Sequence, residues 1–100
     1  AANKNCDDIE CHKNNIEEYK KELNKSFQEL VKVDKNKLVV DSFKESQILW
    51  NKFIKEDCKF MNSPMSFTQG GGYIVVYYEC LEDYYNTRIK NINKMINDIK

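Results

Sequence analysis

The chain is short of the residues that break helices. It has one proline and three glycines in 100 residues, too few for the many turns of an all-β fold. It lacks a net charge, with 16 basic residues against 16 acidic ones. That balance argues against a broad nucleic-acid or anionic-membrane surface, each of which needs a clustered basic excess. No apolar run approaches the ~20 residues of a membrane span. There is one histidine, His12, and no Cys-x-x-Cys pair, so zinc is a poor reading of the cysteines. No Ser-His-Asp or Cys-His set can be assembled around an internal base. Gly70-Gly71-Gly72 has neither a following Lys-Ser/Thr nor a preceding strand, so it is not a phosphate loop. The acid pairs Asp7-Asp8, Glu17-Glu18 and Glu82-Asp83 read as solvated helix charges, and His12 as a solvated side chain near a chain end. These absences favour a binding protein over an enzyme, with no cofactor and no metal.

What is present is a small set of strong features. Four cysteines in so short a chain imply disulfides, and disulfides imply an oxidising compartment. The length suits a single domain spanning residues 1–100, whose limited core makes cross-links matter. Ala1-Ala2 is followed at once by polar residues, so no signal peptide is visible. The chain reads as a periplasmic or secreted product with its export segment removed, and a lipid anchor on the precursor is compatible with that.

Taken in order, the first helix is expected near Asp8, with Asp7 as N-cap and Glu10 completing a capping box. An alternative cap is Asn14 with Glu17. Cys6 and Cys11 flank the first box where a hydrophobic staple would bring them together, and they are expected to pair. Ile16, Tyr19, Leu23, Phe27 and Leu30 then recur on one helical face. Asp34-Lys35-Asn36 is the expected turn.

A second helix carries Val40, Phe43, Gln47, Trp50, Ile54, Cys58 and Met61 on one face. Trp50, the only tryptophan, is expected at the centre of the core, between all three helices. Gln47 needs hydrogen-bond partners in the backbone or a neighbouring helix. Asn62-Ser63-Pro64 is expected to end this helix, leaving residues 62–72 as the one long loop. The bland reading of that loop is a connector; the functional reading is a recognition element.

Tyr73 to Tyr78 has strand propensity. Yet Ile74, Tyr77, Leu81, Tyr85, Arg88, Ile92, Met95 and Ile99 continue a helical stripe, so a third helix is expected from about Tyr73 to Asp98. Cys80 is the expected partner of Cys58. Arg88, the only arginine, falls on the stripe and needs a carboxylate or carbonyls, with Asp57, Glu22 and Glu45 as candidates. The fold class is therefore all-α: an antiparallel bundle of three long helices with two disulfides.

An ordered set of residues also resembles a known family. Cys11 precedes Leu23-Asn24 and Phe27. Gln47-x-x-Trp50 follows, then Cys58, glycines near position 70, Cys80, Arg88 and Ile92. Together these resemble the LprI-type lysozyme-inhibitor family, over nearly the whole chain. The chain departs from the family pattern at Ile54, Tyr85 and Lys20, where arginine, threonine and aspartate are common.

The resemblance implies an exported, helical, disulfide-linked bacterial protein that binds a protein partner, with lysozyme the leading candidate. Lysozymes are mostly basic, with an acidic catalytic cleft. The loop residues Ser63, Met65, Ser66, Phe67, Thr68 and Gln69 would then plug the cleft, with Glu79, Glu82 and Asp83 meeting the basic rim. Gln47, Trp50 and Arg88 would be structural. The alternative is a periplasmic immunity protein or an envelope assembly factor that inhibits no lysozyme. The oligomeric state is left open.

Overall fold

Three α-helices account for the architecture: α1 (Ile9–Val33), α2 (Lys37–Ser66) and α3 (Gly72–Ile99). The structure, a computed structural model, describes the backbone of Cys6, residues 8–66 and residues 72–100, and their side chains except at 61–66, 72 and 73. Among these residues there is no strand.

Local chemistry sets the helix ends. Asp8 is extended, and its carboxylate accepts the Cys11 amide N–H at 2.8 Å. The cap is thus Asp8 rather than Asp7, and Cys11 occupies the position that the expected capping box gives to Glu10. The Cys6–Cys11 disulfide closes over this cap, with Cα atoms 5.4 Å apart. At the other end of α1 the Asp34 amide bonds back to the Leu30 carbonyl at 2.8 Å. Asn36, the last residue of the expected turn, then accepts the Leu38 amide N–H at 3.0 Å and caps α2.

Pro64 does not end α2. The helix runs through it to Ser66, so the break expected at Asn62-Ser63-Pro64 is absent. A proline deletes one backbone donor and disfavours helical geometry for the residue before it. One missing bond near the end of a 30-residue ladder is not enough to stop it. Residues 67–71, the rest of the expected loop, lie outside the described residues.

Registry between helices follows from the cross-helix bonds. His12 meets Glu82 and Ser26 meets Asn93, offsets of 70 and 67, so α1 and α3 run parallel. Cys58 meets Cys80 and Gln47 meets Arg88, so α2 runs antiparallel to α3. With an offset near 70, the first seven or so residues of α3 project past the start of α1, about 10 Å at 1.5 Å per residue.

The core is centred on α3. It contributes Leu81, Tyr85, Ile89, Ile92 and Ile96, while α1 gives Ile16, Tyr19, Leu23 and Leu30, and α2 gives Ile54 and Cys58. Met95 and Ile99 of the expected stripe are exposed, and Ile89 and Ile96 take their place. The reason is geometric: α3 packs against both partners, so its apolar face is wider than one stripe. By contrast α1 and α2 scarcely meet. The molecule is accordingly flat, with Cα extents of 49 × 25 × 17 Å.

Trp50 is not the centre of this core. It is half-buried against α3, its ring edge-on to Tyr85 at 5.1 Å. Because α1 stands away from α2, a side chain on this part of α2 does not reach all three helices.

Candidate functional site

The acids singled out in the sequence gather at one end of the bundle. Glu79 sits one turn before the adjacent Glu82 and Asp83 on α3, and the three line a hollow of about 290 Å³ against α1. His12, Tyr19 and Cys6 form its α1 side, and Asn86 extends it along α3. Glu79 and Asp83 also border a second hollow of about 550 Å³, on the α2 side, with Asp57 and Tyr84. Among the described residues, no lysine or arginine lines either hollow.

His12 is the largest correction to the sequence reading. It is 5% exposed, not solvated, and its Nδ1 lies 2.5 Å from Glu82 Oε1. The signal was present: His12, Ile16, Tyr19 and Leu23 continue one helical face back by one turn. Tyr19 lies beside the pair. Burial pushes its phenol up from the ordinary 10.0, and the Glu82, Glu22 and Asp83 carboxylates push it further the same way. Across α3, the Tyr84 hydroxyl donates to Asp57, and that bond raises the phenol's pKa first, burial second. Asp57 is thereby taken by Tyr84 and not by Arg88.

Arg88 has no carboxylate partner among the described residues. Its Nε donates to Gln47 Oε1 at 3.1 Å and a terminal nitrogen to Ser46 Oγ at 3.2 Å. Its guanidinium also lies over the rings of Phe43 and Trp50, at 5.2 and 5.3 Å. Burial lowers its pKa. None of the three acids named as candidates, Asp57, Glu22 and Glu45, makes this contact. Two neutral oxygens and two π-faces satisfy the cation instead, and Gln47 finds its partner on a neighbouring helix.

The Cys58–Cys80 disulfide, with Cα atoms 5.7 Å apart, borders the larger acidic hollow through Cys80. Beyond it lie the last turns of α2, including Ser63, Met65 and Ser66, which are helical and not loop. Phe67, Thr68 and Gln69 fall outside the described residues. The structure thus brings Glu79, Glu82 and Asp83 together, at the same end as the segment joining α2 to α3.

Among the described residues, no set of three or more His, Cys, Asp and Glu side chains is arranged to hold a metal ion. No helix is long and apolar enough, among those residues, to cross a membrane. No curated protein and no solved structure matches the chain. A family does match, over residues 1–92, and its description is "Lysozyme inhibitor LprI". With nearly the whole helical, doubly cross-linked chain covered, the protein belongs to the LprI lysozyme-inhibitor family.

Proposed function

We propose that this chain is an exported inhibitor that binds a basic lysozyme through its acidic end and acts by blocking the catalytic cleft, without being an enzyme itself. The observation that supports this most is the grouping of Asp57, Glu79, Glu82 and Asp83 around two hollows that no lysine or arginine lines among the described residues. A basic rim meeting that surface gains from complementary potential, mainly in encounter rate and orientation. Hollows of this size suit the insertion of lysine or arginine side chains from the enzyme.

The segment from Ser63 to Gln69 is the proposed plug. It begins in the last turn of α2, which runs past the start of α1 at the acidic end. Neutral donors at Ser66, Thr68 and Gln69 suit an acidic cleft better than further carboxylates would. Met65 and Phe67 add apolar area. The Cys58–Cys80 bond braces the base of the segment and lowers the ordering entropy lost on binding.

The test is a muramidase assay against chicken-type, invertebrate-type and goose-type enzymes. The wild type is compared with a Glu79→Gln/Asp83→Asn variant and with a chain whose residues 67–69 are Gly-Ser-Gly. Both changes are expected to weaken inhibition of at least one enzyme type by tenfold or more. Equal inhibition by all three proteins would move the site elsewhere. Failure of the folded wild type to inhibit any enzyme would overturn the reading in favour of an immunity or assembly role.

A further inference from the structure

A second surface of the molecule has the opposite character. Because α1 and α2 scarcely meet, an open groove of about 620 Å³ runs between them with α3 as its floor. Leu23 and Phe27 form one apolar wall, Phe43 and Ile48 the other, and Tyr85 lies on the floor. The Phe27 and Phe43 rings stack at 4.6 Å and bridge the groove at one end. Ile48 is 52% exposed although it belongs to this apolar lining.

The rim is basic. Lys20 stands on the α1 wall, and Lys44 and Lys55 stand on the α2 wall. Among the described residues, no carboxylate lines the groove. Lys20 is held by Glu17 at 3.2 Å, but Lys44 and Lys55 have no ion-pair partner among the described residues. The amides of Asn24, Gln47 and Asn51 supply further hydrogen-bonding groups.

We infer that this groove is a docking site for an acidic amphipathic helix of a protein partner, seated between α1 and α2 so that three helices become four. The arrangement of charge selects this occupant. A single-chain fatty acid has one charged end and would want cations at one end of an enclosed pocket. Here the cations lie on both walls and near both ends of an open trough, which suits a rod with acids along both flanks. The span also fits. Lys44 and Lys55 are eleven residues apart on α2, about 16 Å or three turns of helix. The helix that docks presents apolar residues at i, i+3 or i+4 and i+7 to the trough, with Glu or Asp on either side. The acidic end, proposed above as the lysozyme contact, is a separate surface, so this inference does not rest on the lysozyme reading.

The probe is a labelled synthetic peptide of about four turns, with leucines at helical spacing flanked by glutamates, followed by fluorescence anisotropy. A second peptide has lysines in place of the glutamates, and dodecanoate forms a third arm. Saturable binding of the acidic peptide is expected, with backbone shifts mapping to Leu23, Ile48 and Tyr85. Charge reversal at the exposed Lys44 and Lys55 (K44E/K55E) is expected to lower its affinity at least tenfold while leaving thermal unfolding unchanged. Ile48→Ser, a neutral change on an exposed residue, serves as the second variant and is expected to weaken binding. Absence of saturable binding, equal binding of both peptides, or indifference to the charge reversal would overturn the inference. So would dodecanoate binding in the groove where the acidic peptide fails.

Discussion

At the scale of single residues, the polar groups hold more of the design than the sequence alone suggests. The His12–Glu82 pair joins α1 to α3 in a setting where neither side chain is freely hydrated. Removing one partner leaves the other buried and unsatisfied, at a cost of about 1–3 kcal/mol. Glu82→Ala and His12→Ala should each lower the urea midpoint accordingly, and the double variant should lose less than the sum of the two. Additive losses would show that the contact is not energetically coupled.

The tyrosines give a second residue-scale test. Tyr19, Tyr84 and Tyr85 all have pKa values raised above 10.0, Tyr19 and Tyr85 chiefly by burial and Tyr84 chiefly by its bond to Asp57. A raised folded-state value means that the folded chain holds these protons more tightly than the unfolded chain. The contribution is fully present below the unfolded value and is lost as pH rises through the folded one. Stability should therefore fall above about pH 10. Absorbance of the phenolate band should show part of the tyrosine content ionising late, together with unfolding. Simple titration of all six tyrosines near their ordinary value, with no loss of fold, would contradict this.

Legibility differed with the physics of each residue. Apolar periodicity names the core of α1 directly, since Ile16, Tyr19, Leu23 and Leu30 face one neighbour. The partners of His12 and Arg88 were not legible, because a contact 70 or 41 residues away depends on interhelical register. The acids of the candidate site were named, but their hollows arise from how α1 and α2 flank α3.

At the scale of elements, the hairpin of α2 and α3 is the cross-linked unit. Its disulfide spans 22 residues, and the chain-entropy argument makes such a closure worth roughly 3 kcal/mol. Replacing both cysteines in Cys58→Ser/Cys80→Ser should lower the unfolding free energy by that order, measured by denaturant titration under oxidising conditions. Cys58 is fully buried, so the serine also leaves a polar hydroxyl in the core and adds to the loss. Helix existence and type were readable here over long windows, and α3 was identified as helix despite the strand-forming run from Tyr73 to Tyr78. The passage of α2 through Pro64 was not readable, because proline biases local geometry while the ladder around it sets the outcome.

At the scale of the whole molecule, zero net charge conceals a division of sign. The acidic hollows occupy one end, and the lysine-rimmed groove runs between α1 and α2. If the acidic end meets a basic enzyme, association should slow steeply as salt rises, while dissociation changes less. Stopped-flow or surface-resonance kinetics at several ionic strengths measure this, and a salt-independent on-rate would argue against the acidic end as the contact.

The bond between Cys58 and Cys80 has one more effect, on how the chain withstands proteolysis. Every peptide bond between residues 58 and 80 lies inside a covalent ring. A protease that cuts within this ring opens it without releasing a fragment. The nicked molecule gains one water and keeps both halves of the hairpin tethered beside the acidic hollows. Non-reducing electrophoresis should show an intact band after such a cut, and reduction should split it in two. A chain cross-linked this way can be cut between residues 58 and 80 and remain a single covalent molecule.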